Sequence, residues 1–216
     1  MKDNAIIFDL DGTLWETTYS TCTSINEVAK KHKCSEVSME LVHNNFGNNK
    51  VECAKVFFPN LDLEEAFKLL DEVDEININN LTKNGGFIYP GLEETLFNLK
   101  NKYKLYIVSN SANIKYIEAF LISSRLWRYF DDYLAASEII LSKGEAIKKI
   151  IEDYNIDKAI YVGDTKKDYK AATVANIPFV QALYGFGNDL GCQYKINDIT
   201  ELPDVAYDIF NGNNKI

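Results

Sequence analysis

Apolar and polar positions divide the chain into two kinds of segment. Residues 5–8 form a short continuous apolar run, which is typical of a strand buried on both faces of a parallel sheet. From residue 17 to residue 80 the apolar residues recur at helical spacing, as at Leu63, Phe67 and Leu70. The run 84–86, Asn-Gly-Gly, interrupts this pattern. The pattern therefore predicts one strand followed by a long helical segment.

After Pro90 the predicted elements alternate between helix and strand. The helices are predicted at 92–100, 114–120, 143–154 and 167–175, and the strands at 105–108, 133–136, 159–162 and 179–183. Strands that alternate with helices imply right-handed crossovers and a parallel sheet covered on both faces. We expect an α/β fold with a doubly wound, mostly parallel, Rossmann-like sheet.

The first strand belongs with this later set, so the helical segment is predicted to be an insertion. The predicted core comprises residues 1–14 and 86–216, and the predicted helical cap comprises residues 15–85. In open α/β sheets, ligands bind beyond the carboxyl ends of the strands. A cap inserted after the first strand would lie over that crevice.

Charge and composition narrow the possible partners. The 216 residues include 32 acidic and 23 basic ones, for a net charge of -9, which argues against a nucleic-acid partner. No run approaches the roughly 20 apolar residues of a membrane helix, and the amino terminus lacks the long apolar stretch of a secretory signal. We expect no membrane partner and a cytoplasmic location. The four cysteines include no CxxC pair, which disfavours a zinc site.

Candidate chemistry lies where the predicted strands end. The first strand runs directly into an Asp-Leu-Asp-Gly-Thr segment, and two later strands are followed by Ser-Asn and by Gly-Asp. A predicted capping box, Ser142 to Glu145, places Lys143 in the first turn of a helix. A cation there opposes the helix dipole, and an anion bound between the lysine and the helix would offset this cost. The candidate residues are Asp9, Asp11, Gly12, Thr13, Ser109, Asn110, Lys143, Asp164 and Asp168.

Four of these candidates are carboxylates that would meet at one edge of the sheet: Asp9, Asp11, Asp164 and Asp168. Carboxylates gathered in this way repel one another unless a cation or protons intervene. Oxygen ligands without histidine or cysteine favour Mg²⁺, which readily takes a phosphate oxygen as a further ligand. A hydroxyl, a lysine and helix amino termini complete a site suited to phosphate.

With these motifs in this order, the sequence resembles the haloacid dehalogenase-like hydrolases, and most closely the branch with a helical cap after strand one, such as phosphoglycolate phosphatases. The resemblance implies that Asp9 attacks phosphorus and forms an aspartyl-phosphate. It implies that Asp11 protonates the leaving oxygen and later activates water. Ser109, Asn110 and Lys143 would bind the phosphoryl oxygens.

The resemblance also implies a Mg²⁺ site made by Asp9, the backbone carbonyl of Asp11 and Asp164. Gly12, Thr13 and Asp168 would support it. An aspartate at position 11 fits phosphoryl transfer better than dehalogenation or phosphonate cleavage, because those relatives lack this second aspartate.

The leading hypothesis is therefore a Mg²⁺-dependent phosphatase acting on a small phosphorylated metabolite. Phosphoglycolate, a nucleotide, a sugar phosphate and pyrophosphate all stay open as substrates. Lys50, in a turn between cap helices, is a candidate contact for the leaving group. The alternatives are a sugar-phosphate mutase similar to β-phosphoglucomutase and a non-catalytic phosphate-binding protein. Both a monomer and a homodimer are compatible with the sequence.

Overall fold

A six-stranded parallel sheet forms the centre of the molecule in the computed structural model, which describes residues 3–111 and 113–212. Its spatial order is β5-β4-β1-β6-β7-β8, so the chain leaves β1 towards one edge and returns to build the other. A separate antiparallel pair joins β2 to β3. The strands are β1 (Asn4–Phe8), β2 (Trp15–Glu16), β3 (Phe87–Ile88), β4 (Lys104–Ser109), β5 (Asp132–Ala135), β6 (Lys158–Gly163), β7 (Phe179–Ala182) and β8 (Tyr194–Ile196).

Helices form most of the connections between these strands and most of the segment between β2 and β3. They are α1 (Thr18–Lys31), α2 (Met39–His43), α3 (Lys50–Phe57), α4 (Leu63–Asn84), α5 (Leu92–Lys100), α6 (Ile114–Ser124), α7 (Lys143–Asp153), α8 (Lys166–Ala175) and α9 (Leu202–Asn211). Within the described part of the chain, none of these helices combines the length and the apolar character needed to cross a membrane.

The sheet is covered on both faces, as β1 illustrates. Ile6 and Phe8 point into one apolar cluster with residues of α5, α6 and α9. Ala5 and Ile7 point into a second cluster with residues of α7 and α8. All four side chains are fully buried, because successive residues of a strand face opposite sides. The predicted α/β fold with a doubly wound, Rossmann-like sheet is confirmed.

Helices α1 to α4 have an apolar cluster of their own, which includes Ile25, Val42, Phe57 and Leu70. The segment enters through β2 and leaves through β3, and the antiparallel pairing of these strands holds the two crossings side by side. Helix α4 ends at Asn84, where the sequence pattern predicts an interruption. We retain residues 15–85 as the proposed cap and call them the cap below.

Three features of the fold were not predicted from the sequence. The β2–β3 pair has two residues in each strand and β8 has three, which is too few for a periodic pattern to be recognised. Helix α9 follows a 3₁₀ turn and has Pro203 near its start, a position that proline tolerates. Its apolar residues complete the cluster on the side of α5.

A close approach of α7 and α8 positions the start of α7, and Gly144 makes this approach possible. A Cβ added at Gly144 would lie 2.7 Å from the Cβ of Val174 and 3.0 Å from the carbonyl oxygen of Ala171. Both contacts are shorter than ordinary van der Waals distances. The missing side chain of Gly144 thus fixes the distance between the two helices.

We expect Gly144→Ala to lower the free energy of unfolding by about 1–3 kcal/mol, the usual cost of overpacking, although alanine favours helices over glycine. Urea denaturation would measure this change. Glu152→Ala, an exposed substitution on the same helix, is the matched control and should change stability by less than about 0.5 kcal/mol. A Gly144→Ala protein as stable as the wild type would contradict this account of the packing.

Candidate active site

The three central strands carry the candidate residues at their carboxyl ends. Asp9 follows β1, Ser109 is the last residue of β4, and Asp164 follows β6. Since β1 pairs with β4 on one side and with β6 on the other, the parallel register brings these three positions to one edge. This edge is the point at which the chain reverses its direction of winding, where α/β sheets bind ligands.

Three buried carboxylates meet at this edge. Asp9, Asp164 and Asp168 each offer an oxygen, and these oxygens all lie within 4.8 Å of one another. Lys143 lies against them, with its Nζ 2.9 Å from Oδ1 of Asp9 and 2.7 Å from Oδ1 of Asp168. The predicted capping box of α7 is present and holds Lys143 at the first position of the helix.

Burial and mutual repulsion dominate the electrostatics of this cluster. Burial raises the pKa of Asp9 well above its ordinary range, and the charges of Asp168 and Asp164 raise it further against the effect of Lys143. Burial, followed by the charge of Asp168, raises the pKa of Asp164 to about 7. Three ionised carboxylates and one lysine give the cluster an excess of negative charge, which a divalent cation would offset.

Asp164 has an oxygen suited to such a cation. Its Oδ2 accepts hydrogen bonds from the backbone N–H groups of Phe186 and Gly187, at 2.6 Å and 3.3 Å. Its Oδ1 is buried and has no hydrogen-bond partner in the described structure. An unpaired buried carboxylate oxygen costs free energy, and coordination of a metal would remove that cost. The oxygen donors and their spacing therefore fit Mg²⁺.

Asp168 differs from the other two acids because both of its oxygens already accept hydrogen bonds. Oδ1 accepts from Lys143, and Oδ2 accepts from the backbone N–H and hydroxyl of Thr165, which caps α8. The charge and hydrogen bonds of Lys143 hold the pKa of Asp168 below its ordinary value despite burial. This arrangement orients Lys143 and agrees with a supporting role for Asp168.

Gly12 allows Asp164 to approach the first strand. Its φ of 75° lies in the left-handed region, and an added Cβ would lie only 2.4 Å from Oδ2 of Asp164. Thr13 follows in a fully buried position, and its carbonyl accepts a hydrogen bond from the hydroxyl of Tyr184. Gly12 and Thr13 therefore shape the loop behind the carboxylates.

The carboxylate of Asp11 lies apart from this cluster. Its Oδ1 accepts hydrogen bonds from Trp15 Nε1 at 3.0 Å, the Thr17 hydroxyl at 3.3 Å and the Tyr116 hydroxyl at 2.7 Å. Burial raises the pKa of Asp11 to about 6, against the effect of these three donors. Three donors thus fix the carboxyl group of Asp11, and this group is not part of the cluster formed by Asp9, Asp164 and Asp168.

Ser109 and Asn110 line the same cavity as Asp9, Asp11 and Lys143. Ser109 is buried, and its Oγ accepts a hydrogen bond from the backbone N–H of Ser111. Asn110 is partly exposed, and its backbone carbonyl accepts a hydrogen bond from the hydroxyl of Ser137. The structure therefore places both predicted phosphate-binding residues beside the carboxylates.

The cavity extends from this edge to the cap and has a volume of about 200 Å³. Lys50 lines its cap side, but the Nζ of Lys50 pairs with Asp71 and lies 5.3 Å from the ring centroid of Phe67. A role for Lys50 in substrate binding stays a prediction. The carboxylates thus form one side of the cavity, and cap residues form much of the remaining wall.

Direct contacts join the cap to the core at the rim of this cavity. Lys167 Nζ donates hydrogen bonds to the Gly47 carbonyl, to Asn48 Oδ1 and to Glu52 Oε2, each at 2.9 Å. Phe186 stacks on Phe46, with 4.4 Å between the ring centroids. The backbone of this same Phe186 bonds Asp164, so the cap contact and the acidic cluster share one loop.

Sequence reasoning missed several residues of the site. Trp15 of β2 and Thr17, which precedes α1, hold Asp11 from nearby in the chain, whereas Tyr116 of α6 is 105 residues away and only the tertiary structure brings it to Asp11. Asp74 lines the cap side of the cavity. A signal for it was available, because Asp74 follows Leu70 by four residues on the apolar face of α4, where an acid is unusual.

The sequence is similar to known proteins over most of its length. The profile of the haloacid dehalogenase-like hydrolases matches residues 6–182. A phosphoglycolate phosphatase from Colwellia psychrerythraea is 24% identical, and the match covers 97% of this chain and 95% of that protein. A phosphoglycolate phosphatase from Haemophilus influenzae is 25% identical over 94% of this chain and 93% of that protein.

Solved structures share the fold. A haloacid dehalogenase-like hydrolase from Streptococcus pneumoniae superimposes with a TM-score of 0.81 at 19% identity, covering 95% of this chain and 98% of that one. A structure described as a predicted phosphoglycolate phosphatase from Haemophilus somnus gives 0.79 at 22% identity, covering 94% and 97%. At these identities the likeness concerns the fold.

We expect Mg²⁺ to raise the midpoint of thermal unfolding, because a ligand that binds only the folded state stabilises it, by about 2.7 kcal/mol at 100 times its Kd. Asp164→Asn should lose this shift. Asp153→Asn, which removes an exposed carboxylate on α7, is the control and should keep it. Differential scanning fluorimetry measures these midpoints. If Mg²⁺ raised the midpoint of Asp164→Asn as much as that of the wild type, the proposed metal site would be contradicted.

A pH dependence follows from Asp74, whose pKa burial raises to about 6. In the unfolded chain an aspartate has a pKa of about 3.9. The folded state therefore binds the proton more tightly, so ionised Asp74 destabilises the fold above pH 6, and this cost disappears as the pH falls towards 4.

We expect Asp74→Asn to be more stable than the wild type by about 3 kcal/mol at pH 7.5, since the pKa of Asp74 is raised by roughly two units on folding and one pKa unit corresponds to about 1.4 kcal/mol. The difference should shrink at pH 4.5. Urea unfolding at both pH values measures it, with Glu75→Gln as the exposed control on the same helix. A difference that grows as the pH falls would contradict the assignment.

Proposed function

The chain belongs to the haloacid dehalogenase-like hydrolase family, and we propose that it hydrolyses a small phosphomonoester through an aspartyl-phosphate on Asp9. One observation carries the proposal: Asp9, paired with Lys143 at 2.9 Å, lines a cavity next to an unpaired buried oxygen of Asp164. A nucleophile, a cation for phosphoryl oxygens and a metal-binding oxygen thus lie together. The names of the relatives, which are phosphoglycolate phosphatases, support the same reaction class.

In the first step, a carboxylate oxygen of Asp9 attacks phosphorus, and the bond from phosphorus to the leaving oxygen breaks. Asp11 gives its proton to that oxygen, so the product leaves as a neutral alcohol. The position of Asp11 suits this role, because three donors fix its carboxyl group and burial raises its pKa to about 6. A protonated fraction is therefore present near neutral pH.

In the second step, a water molecule attacks the phosphorus of the aspartyl-phosphate. Asp11, now ionised, takes the proton of this water, and the bond from phosphorus to the Asp9 oxygen breaks. Inorganic phosphate is released and both aspartates return to their starting states. One residue serves as acid and then as base, because each step leaves Asp11 in the form that the other step needs.

Positive charge and hydrogen-bond donors would stabilise both transition states. Lys143 and the hydroxyl of Ser109 would hold phosphoryl oxygens, with Asn110 at the rim of the site. Mg²⁺, held by Asp9, Asp164 and the carbonyl of Asp11, would supply the charge that offsets repulsion between the carboxylate and the phosphoryl group. Asp168 would keep Lys143 in place through its hydrogen bond of 2.7 Å.

Hydrolysis is favoured over transfer to a second position of a phosphosugar. A mutase needs a second phosphate site on the cap, and the cap residues that line the cavity include one cation, Lys50, which is paired with Asp71. Retention of both Asp9 and Asp11 likewise favours an enzyme over a non-catalytic phosphate-binding protein. Phosphoglycolate is the first substrate to test, followed by nucleotides, sugar phosphates and pyrophosphate.

We expect phosphate release from a panel of phosphomonoesters to require Mg²⁺ and to be abolished by EDTA and by Asp9→Asn. Asp11→Asn should lower kcat by about 10²–10⁴-fold, the usual contribution of general acid–base catalysis. Acid quenching with a ³²P-labelled substrate should trap labelled wild-type protein and no labelled Asp9→Asn.

Asp153→Asn removes an exposed acid far from the site and serves as the control, with activity equal to that of the wild type. Phosphate release by Asp9→Asn at the wild-type rate would overturn the mechanism. Conversion of one sugar phosphate isomer into another without net release would favour the mutase.

A further inference from the structure

The cap side of the cavity has a composition that bears on the leaving group. Its wall is largely apolar and is drawn from all four cap helices, with the side chains of Ile25, Val42, Phe57, Leu70, Val73 and Ile78. Phe186 of the core, stacked on Phe46, closes the rim. Since a phosphoryl group would occupy the carboxylate edge, this wall would face the rest of the substrate. An apolar body is what such a surface binds.

Among the cap residues that line the cavity, Asp74 is the acidic one. Asp74 lines the cavity from α4, between Leu70 and Asn77 on the same helix face. No side chain or backbone group of the described residues donates a hydrogen bond to its carboxylate. Burial raises the pKa of Asp74 to about 6, with the charge of Lys50 acting in the opposite direction. A carboxylate placed in this way lacks a donor, which a ligand could provide.

The cations around the cavity are already paired. Among its lining residues, Lys143 binds Asp9 and Asp168, and Lys50 binds Asp71 on the outer side of α4. A carboxylate on the leaving group would be repelled by Asp74, and on this side of the cavity only Lys50, whose Nζ is paired with Asp71, would offset that repulsion. A leaving group with a positively charged donor would instead pair with Asp74.

We propose, on the basis of the proposed phosphatase function, that the substrate is the phosphate ester of an alcohol with an apolar body ending in an ammonium group, which Asp74 binds. This substrate class differs from phosphoglycolate, whose leaving group carries a carboxylate. The cavity volume of about 200 Å³ leaves room for such a body, because one water molecule occupies about 30 Å³ in the liquid. Asp74 is then a specificity residue and takes no part in the chemical steps.

A set of three benzyl phosphates tests the proposal, because they share one body and differ only in charge at the far end. The para substituents are aminomethyl, methyl and carboxylate. In the wild type we expect kcat/KM to fall in that order, with about tenfold or more between the first and the last, as for hydrogen bonds between charged groups. Equal values, or a preference for the carboxylate, would overturn the proposal.

Variants locate the effect. Asp74→Asn should lower kcat/KM for the aminomethyl compound by about tenfold and leave the methyl compound nearly unchanged. Glu75→Gln removes an exposed charge from the next position of α4 and should keep the wild-type order. Lys50→Met should not reduce activity on the aminomethyl compound. The opposite result is a wild type that prefers the carboxylate compound and a Lys50→Met protein whose kcat/KM falls for that compound alone. This result would show that Lys50 binds the leaving group and would overturn the proposal.

Binding provides a readout that does not depend on turnover. Calorimetric titration of the inactive Asp9→Asn protein should give the same order of affinities, and Asp9→Asn/Asp74→Asn should lose the preference for the aminomethyl compound. If the wild type hydrolyses neither these three compounds nor any phosphomonoester of the panel above while the aminomethyl compound still binds best, the proposed function fails and the specificity stands. If all three are hydrolysed and bound equally, the specificity fails and the proposed function stands.

Discussion

Three carboxylates buried together repel one another, and the charge of Lys143 offsets that repulsion only in part. Lys143 pairs with Asp9 and Asp168 but does not reach the unpaired oxygen of Asp164. A divalent cation at this point would balance the charge, and it would attract a phosphoryl group. Binding of metal and phosphate would thus offset the unfavourable free energy of burying the acids together. The stability of this edge of the sheet is therefore connected with its chemistry.

The parallel sheet makes this gathering possible. Asp9, Ser109 and Asp164 come from strands that are distant in sequence but adjacent in the sheet. Parallel strands end at the same edge, so three short segments deliver their polar residues to one place without long loops. Helices α7 and α8 then bring Lys143 and Asp168 to the same point, and the close packing at Gly144 sets their separation.

Contacts at the rim link the chemistry to the cap. Asp11 is held by Trp15 and Thr17 at the entrance to the cap and by Tyr116 of the core. The loop that carries Phe186 bonds Asp164 through its backbone and packs against the cap through its ring. The position of the cap residues and the arrangement of the acids are therefore structurally connected through this loop.

The sequence by itself determined the alternation of helix and strand, the buried first strand, the capping box at Lys143 and the residue types at the strand ends, because each is a local pattern of a few residues. It could not reveal the contact of Tyr116 with Asp11, the unpaired oxygen of Asp164 or the exposure of Asp74 to the cavity. Those features depend on distances between segments far apart in the chain. Only the tertiary structure decided them, since local patterns specify which face of an element is apolar but not which distant side chain will meet it.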